Sequence, residues 1–385
     1  MKPRRALVAA AAAALTALLV IPGDPFARLA VTAGPVAEAV RAAPSDREAP
    51  GPGSPSGSPA QPTVVLDARP PRNVRVTRDQ TGGSYRSVSG AVDETLSVCS
   101  TGRREQNEPS VAVDPRNPKV IAIGANDYCA AMTTGDAWLG LYRSRDGGRT
   151  WTNTLIPGYP SDGSADGLGS PAHGACSAAS DPALSFDGAG RLFVGFICFD
   201  RVRQSGDGGE GLARSSTFVA TFDRDGQRYV RTTLVSRGTP DRNEDKINLV
   251  ADQTNGPFGG NVYAAWVHLA RPTRGGIPRD PMLFARSTDH GATFSKPTPV
   301  SQLVHPRFPD MAVGPDGALH VAFRSSDTLW AVESRDGGRH FLPPVQLAAS
   351  IVPFDSGQFS GGTGDDCGVG RFRCHSHLVF PRFDS

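Results

Sequence analysis

The chain has few lysines, few cysteines and no excess of charge of either sign. Only 4 of its 40 basic residues are lysine, and the formal net charge is +2. A near-neutral chain of this kind is not a polybasic nucleic-acid binder, and no basic patch interleaved with aromatic residues occurs in it. Six cysteines in 385 residues are too few for a disulfide-stabilised miniprotein.

Long apolar runs and long amphipathic helical patterns are missing after the N-terminal region. Their absence excludes a multi-span membrane protein and a coiled coil, and the hydrophobic content of 38% excludes a wholly disordered chain. No paired Cys-x-x-Cys and no Gly-x-Ser-x-Gly occur, which argues against a metal site and an esterase. Gly206-x-Gly208-x-x-Gly211 matches a dinucleotide fingerprint, but no helical pattern follows it. We therefore expect no cofactor and no metal.

The N-terminal residues indicate export followed by a linker. Lys2, Arg4 and Arg5 precede an apolar run over Ala6–Ile21, which has the length of a signal-peptide core and is short for a membrane span. Residues 43–72 are rich in proline, glycine and serine. We expect a leader over 1–42, a linker over 43–72, a folded domain over 73–385, and secretion. An uncleaved N-terminal anchor is the alternative, and would be the one membrane attachment.

An eight-residue pattern, Ser-x-Asp-x-Gly-x-Thr-aromatic, recurs in the folded part, and we call it the acidic octapeptide. Its aspartate can accept hydrogen bonds from the backbone ahead of it, and its glycine permits a positive φ, so each copy predicts a hairpin tip. A calcium- or ligand-binding loop is the alternative. A degenerate copy occupies 223–229, and His340 replaces threonine in the last copy. The three good copies carry Ser144, Asp146, Gly148, Trp151, Ser287, Asp289, Gly291, Phe294, Ser334, Asp336, Gly338 and Phe341.

A second pattern, x-Pro-x-apolar-Ala-apolar-Asp in its fullest form, precedes each octapeptide and leads into a buried strand. Together the two patterns predict an all-β fold, a propeller of four-stranded blades. Residues 73–100 also contain strand-like runs, Val74–Thr77 and Leu96–Val98, that are candidates for a closing strand. The predicted blades span about 105–160, 178–236, 245–301 and 305–348, and a fifth opens after Ile351.

The acidic octapeptides resemble the Asp-boxes, or bacterial neuraminidase repeats, of the sialidase superfamily, and the resemblance covers roughly residues 105–385. It implies a secreted, sialidase-like β-propeller. Six blades are expected for the family, against about four complete blades and partial ones here, so we expect the chain to be incomplete at its C-terminus. The octapeptides are specific for the fold and not for activity, because non-catalytic secreted proteins carry similar boxes.

The resemblance also implies a retaining glycoside hydrolysis. Its nucleophile is a tyrosine assisted by a glutamate, its acid/base is an aspartate, and three arginines clamp the carboxylate of the sugar. The motif Phe/Tyr-Arg-Ile/Leu-Pro of the first arginine is missing, and Arg307-Phe308-Pro309 matches it only in scrambled order. Two functions stay open: an exo-glycosidase on terminal sialic-acid-type residues, and a non-catalytic propeller that binds glycans or proteins at the cell surface. Glycans or glycoproteins are the expected partners of a monomer.

The start of each blade's first strand is the candidate site, because these positions tend to face the axis of a propeller. We assign Glu108, Asp181 and Arg307 as candidate catalytic residues. A ring of ion pairs that lines a wet channel is the alternative interpretation. The candidate ligand-binding residues are Asn107, Asp245, Lys246, Asp310 and Arg382.

The cysteines predict disulfide bonds in an exported protein. Cys367 and Cys374 bracket a six-residue loop and predict a local bond. The other four are expected to pair among themselves in one of three arrangements. They are Cys99, Cys129, Cys176 and Cys198.

Overall fold

The computed structural model describes residues 73–77, 85–101, 105–203, 210–239, 242–270 and 280–349. Within these ranges the chain forms four antiparallel sheets of four strands each. The predicted leader and linker lie outside the described residues, and so do the fifth blade predicted after Ile351, Arg382 and the predicted disulfide between Cys367 and Cys374.

Within each sheet the strands lie side by side in chain order. The first sheet contains β1 (Gln106–Val113), β2 (Ile121–Asp127), β3 (Trp138–Ser144) and β4 (Thr152–Leu155). The second contains β5 (Ala178–Phe186), β6 (Leu192–Arg203), β7 (Glu210–Asp223) and β8 (Arg228–Arg237). The third contains β9 (Arg242–Ala251), β10 (Val262–Ala270), β11 (Met282–Ser287) and β12 (Thr298–Pro299). The fourth contains β13 (Pro306–Val313), β14 (Leu319–Ser325), β15 (Thr328–Ser334) and β16 (Val345–Ala348).

Consecutive sheets pack face to face, and their first strands β1, β5, β9 and β13 are neighbours in that order. Ala112 of the first sheet shares an apolar cluster with Leu184 and Phe186 of the second. Similar clusters join the second sheet to the third and the third to the fourth. This is the arrangement of propeller blades. The predicted all-β propeller fold and its four blades are therefore confirmed, and we number the blades 1 to 4.

Short helices lie outside the sheets: α1 (Glu94–Thr101), α2 (Ala131–Thr134) and α3 (Ala165–Leu168). The strand-like runs predicted at Val74–Thr77 and Leu96–Val98 are wrong, because the first forms no strand and the second forms the middle of α1. Asp93 caps this helix, since the Leu96 N–H donates to Asp93 Oδ1 over 2.8 Å. No helix in the described ranges is both long enough and apolar enough to cross a bilayer.

Each good acidic octapeptide links the third strand of its blade to the fourth. In blade 1 the Ser144 hydroxyl donates to Asp146 Oδ1 over 2.8 Å and accepts from the Gly148 N–H over 2.9 Å. Asp146 also accepts from the N–H and the hydroxyl of Thr150. Gly148 has a φ of 85°, a conformation that favours glycine. The other two copies repeat the serine–aspartate and serine–glycine hydrogen bonds, which confirms the predicted hairpin tips.

His340 takes the place of threonine in the last copy without loss of the turn. Its Nδ1 lies 2.7 Å from Asp336 Oδ2, where the Thr150 hydroxyl of blade 1 reaches Asp146. The pKa of Asp336 is held well below its usual range, because hydrogen bonds from His340 and Ser334 outweigh the opposing effect of burial. The aspartate of the pattern thus serves as an ionised acceptor within its own turn.

The hairpin tips between third and fourth strands also join neighbouring blades, because a donor from one blade reaches a backbone carbonyl in the next blade's tip. Arg143 of blade 1 donates to the Gly226 carbonyl over 2.6 Å, in the degenerate copy of blade 2. Thr233 of blade 2 donates to the Gly291 carbonyl over 2.7 Å. Arg286 of blade 3 donates to the Gly337 carbonyl over 3.3 Å. Burial lowers the pKa of Arg143 to about 10.

Two disulfide bonds select one of the three arrangements that the sequence leaves open. Cys99 pairs with Cys129, and Cys176 pairs with Cys198. The bonds join positions 30 and 22 residues apart. Loops of this length predict about 3 to 4 kcal/mol of stabilisation each in the chain-entropy account.

Replacing Asp289 with alanine is expected to lower the free energy of unfolding by about 1 kcal/mol, since its turn loses the acceptor for the Thr293 N–H and hydroxyl. Burial opposes ionisation of this exposed carboxyl, but the Thr293 hydrogen bonds dominate and lower its pKa from 3.8 to about 2. Its contribution is therefore present above pH 4 and declines as the pH falls toward 2. Urea unfolding at pH 6 and pH 3 measures this.

Thr288→Ala in the same turn is the matched control. An equal effect of Asp289→Ala and Thr288→Ala, or a larger effect of Asp289→Ala at pH 3 than at pH 6, would contradict the assigned role of the aspartate.

Candidate functional site

The first strand of every blade carries a β-bulge at the same place. In blade 1 the pairing with β2 skips from Asn107 to Ser110, and the same skip recurs at the equivalent positions of blades 2, 3 and 4. Each bulge places two residues opposite one, and the first of the two has a positive φ although none is glycine. We call these four the bulge residues: Glu108 (φ 50°), Asp181 (φ 59°), Lys246 (φ 47°) and Phe308 (φ 56°). Such backbone conformations are strained and cluster at functional sites.

The sequence favours these bulges through proline. Pro109, Pro182 and Pro309 directly follow the bulge residues of blades 1, 2 and 4, and Ile247 takes the position in blade 3. Proline has no N–H to give to a strand ladder, so a bulge is one of the few places in a sheet that accepts it. The x-Pro step of the second sequence pattern thus encodes the bulge.

Three bulge residues from three different blades meet, and we call them the bulge cluster. Lys246 Nζ lies 3.2 Å from Glu108 Oε1 and 3.8 Å from Asp181 Oδ2. The carboxyl groups of Glu108 and Asp181 share a hydrogen bond. The structure therefore brings together three residues that the sequence assigns to the site, two as candidate catalytic residues and one as a ligand-binding residue.

The side chain of Asn126, on β2, is hydrogen-bonded to the bulge cluster. Its side-chain amide donates to Asn107 Oδ1 over 3.0 Å and to Glu108 Oε2 over 3.3 Å. Its carbonyl oxygen accepts from the backbone N–H of Asp181 over 2.9 Å. One side chain thus fixes the bulges of blades 1 and 2 relative to each other, and it places Asn107 against the cluster.

The electrostatics assign one shared proton to the two carboxyl groups. Burial raises the pKa of Asp181 well above its usual range, against the opposing charge of Lys246. Burial also acts on Glu108, but the hydrogen bond from Asp181 and the charge of Lys246 outweigh it and lower the pKa of Glu108 below 4.5. Near neutral pH a protonated Asp181 therefore donates to an ionised Glu108, and the Lys246 ammonium balances the remaining charge.

The other predicted residues lie on the neighbouring first strands. Burial raises the pKa of Asp245, next to Lys246, while the charges of Lys246 and Arg307 oppose the rise. Arg307 donates to Asp280 Oδ2 over 2.8 Å, and His305 Nδ1 lies 3.5 Å from the same oxygen. Asp310 is exposed, and its side chain is hydrogen-bonded to the side chain of Asn248. Arg307 and Asp310 thus have their own partners outside the bulge cluster.

Sequence reasoning missed Asn126, Asp280 and Phe308 as site residues. Asn126 pairs with Asn107 across two strands, so only the strand register reveals it. Asp280 precedes β11 and has no motif of its own. Phe308 had an available signal, because it precedes Pro309 just as Glu108 precedes Pro109 and Asp181 precedes Pro182.

The bulge cluster offers hydrogen-bond donors and acceptors, a held proton and an ammonium group at one place. It does not have the spacing of a two-carboxylate glycosidase, because those carboxyl groups stand about 5 Å or more apart and these two are hydrogen-bonded. Within the described ranges, no three His, Cys, Asp or Glu side chains lie together in a group that could hold a metal ion.

No protein-family model matches the chain, and no curated protein matches it. Similar solved structures include a protein of unknown function from Dyadobacter fermentans, with 16% identity and a TM-score of 0.44 over 63% of this chain and 69% of that one. The Hadza microbial sialidase Hz136 has 17% identity and a TM-score of 0.44 over 62% and 46%. A leech intramolecular trans-sialidase has 14% identity and a TM-score of 0.43 over 67% and 55%. The chain thus spans about half the length of these two sialidases.

Replacing Lys246 with methionine is expected to lower the free energy of unfolding at pH 8 by about 2 kcal/mol, because Glu108 loses its counter-charge in a half-buried site. The charge of Lys246 lowers the pKa of both carboxyl groups, so without the ammonium both values rise, and that of Asp181 is already raised in the wild type. A raised folded pKa contributes stability below the unfolded pKa, and this contribution is lost as the pH rises through the folded pKa. The destabilisation should therefore be smaller at pH 5, as urea unfolding at both values can show.

Lys296→Met, at an exposed lysine of blade 3, is the matched control. If Lys246→Met destabilises the protein equally at pH 5 and pH 8, the proposed charge balance is wrong.

Proposed function

We propose that this chain is a secreted, sialidase-like β-propeller that binds a glycan at the bulge cluster. The observation that carries the proposal is the repeated positive-φ bulge, which brings Glu108, Asp181 and Lys246 together from three blades. Strained backbone at four equivalent positions persists only where the surrounding structure imposes it. Strain that recurs at four equivalent positions therefore supports a binding role for the bulge residues.

The chemistry of the bulge cluster suits a polyhydroxylated ligand. Near neutral pH the charges of Glu108 and Lys246 balance, so a strongly charged ligand would meet no net opposite charge there. Sugar hydroxyls both donate and accept hydrogen bonds, and the cluster holds a carboxylate acceptor, a carboxylic acid donor and an ammonium donor side by side. Few, well-placed polar groups of this kind give a binding site its specificity.

Export is supported by the N-terminal pattern and by the disulfides. The two bonds among the described residues, Cys99–Cys129 and Cys176–Cys198, are of a kind that persists in oxidising compartments. The acidic octapeptides, which resemble Asp-boxes, support the relation to the sialidase superfamily. A glycan at the cell surface is the ligand that agrees with both features.

Hydrolysis of terminal sialic-acid-type residues is the second candidate function. It is favoured by the burial of Asp181, which raises the pKa of this carboxyl well above its usual range, because a glycosidase needs a general acid that is protonated near neutral pH. Glycan binding has the stronger support, because hydrolysis by the sialidase scheme also needs a tyrosine beside the acid. None of the described contacts of the bulge cluster is to a tyrosine, the nucleophile that the sialidase scheme requires.

Glu108→Gln is expected to weaken glycan binding at least tenfold, because the amide removes the charge that Lys246 balances and disturbs the hydrogen bond from Asp181. A glycan array selects the ligands, and titration calorimetry measures the dissociation constants of wild type and variant. Glu94→Gln, at an exposed position of α1, is the matched control. An empty array with the folded wild-type protein would refute the binding function.

The second candidate predicts turnover of a fluorogenic sialoside by the wild-type protein, with at least a hundredfold loss in Asp181→Asn because the proton donor is removed. Arg307→Ala tests the part of the assigned site outside the bulge cluster. Wild-type release of fluorophore no faster than the blank, across several glycosides, would exclude hydrolysis and leave binding in place.

A further inference from the structure

The fourth bulge residue differs in chemistry from the other three. Phe308 occupies in blade 4 the position that Glu108, Asp181 and Lys246 occupy in blades 1 to 3, with the same left-handed backbone. A positive φ is uncommon for any residue with a side chain and is an outlier for a bulky one. The bulge places an aromatic ring where the other blades place the charged groups that meet.

Phe308 is not part of the core. It is half-buried, and none of the three apolar clusters among the described residues includes it. Phe323, which lies opposite the bulge on β14, is fully buried in the cluster between blades 3 and 4. Core packing therefore explains Phe323, whereas Phe308 lies outside the apolar clusters of the described residues.

Arg324 supports the ring of Phe308. Its guanidinium carbon lies 5.5 Å from the ring centroid, within the range of a cation–π contact. Arg324 pairs with Arg307 across β13 and β14, as Asn126 pairs with Asn107 across β1 and β2. In both blades this second-strand residue contacts the bulge residue of its own blade, so the geometry around Phe308 repeats that around Glu108.

We propose that Phe308 is the stacking platform for a pyranose ring, that Arg324 positions it, and that the sugar's hydroxyl groups reach the bulge cluster. The inference rests on the proposed glycan-binding function and specifies its ligand as a ring sugar. One face of a pyranose carries mainly C–H groups, and it buries apolar area against an aromatic ring. Strand β13 is the neighbour of β9, which carries Lys246, so platform and polar groups belong to adjacent first strands.

The test uses lactose and 3′-sialyllactose as ring probes and sorbitol as an open-chain polyol, each titrated into the full chain by calorimetry. Wild type is expected to bind at least one ring probe and to bind sorbitol at least tenfold more weakly. Phe308→Leu keeps apolar volume without a flat ring, and it should weaken binding of that probe at least tenfold. Phe308→Tyr keeps the ring and should stay within threefold of wild type. Urea unfolding verifies that each variant folds.

Arg324 is tested through a double-mutant cycle. Arg324→Ala should weaken ring-probe binding about threefold to tenfold in the wild-type background and have no effect in the Phe308→Leu background, because a positioning residue acts only through the ring. Arg324→Lys keeps a cation over the ring and should restore most of the binding. Equal effects of Arg324→Ala in both backgrounds would show that it does not act through Phe308.

The outcomes separate this inference from the function on which it rests. If neither ring probe nor any array glycan binds the wild type, the proposed function fails and the platform fails with it. If a ring probe binds and Glu108→Gln weakens it, but Phe308→Leu does not, the binding function stands and the platform is refuted. Sorbitol that binds as tightly as the ring probe would also refute it, since hydrogen bonds would then account for the affinity.

Discussion

The strained bulge of the first strands is the constraint on which the site depends. A regular strand alternates its side chains between the two faces of a sheet, so charged residues at these positions would lie in the apolar layers between blades. The extra residue with a positive φ redirects one side chain per blade. Glu108, Asp181 and Lys246 thereby leave the interblade layers and meet, while Leu184 and Phe186 remain inside them.

The packing of the blades supplies the free energy that holds this conformation. Each left-handed residue costs on the order of 1 kcal/mol, and the apolar clusters between blades bury large side chains such as Phe186, Trp266 and Phe323. One buried phenylalanine contributes about 2 kcal/mol, so each cluster outweighs the strain of its neighbouring bulges. The fold and the site are thus coupled, because the same blade contacts that stabilise the propeller keep Glu108, Asp181 and Lys246 together.

Features that depend on residues close in sequence were predictable, and features that depend on contacts between distant residues were not. The octapeptide turns follow from hydrogen bonds within eight residues, and the shared position of Glu108, Asp181 and Lys246 follows from the repeat. Helix α1 was not predictable as a helix from its apolar residues, and the disulfide that joins it to Cys129 is a contact between distant positions. Asn126 and Asp280 join the site only through strand register and an ion pair with Arg307, which no local pattern encodes.

The joints between blades explain how one octapeptide could lose its defining residues. In each of the three described joints the receiving atom is a main-chain oxygen, on Gly226, Gly291 or Gly337. Every amino acid supplies such an oxygen, so this hydrogen bond requires only the path of the backbone. Side chains of the tips add further contacts, such as the ion pair between Arg116 of blade 1 and Asp225 in the tip of blade 2. The tip of blade 2 has neither the serine nor the threonine of the pattern, yet its Gly226 carbonyl still accepts the hydrogen bond from Arg143. A repeat of this protein can therefore vary in sequence wherever the neighbouring blade contacts only its main-chain atoms.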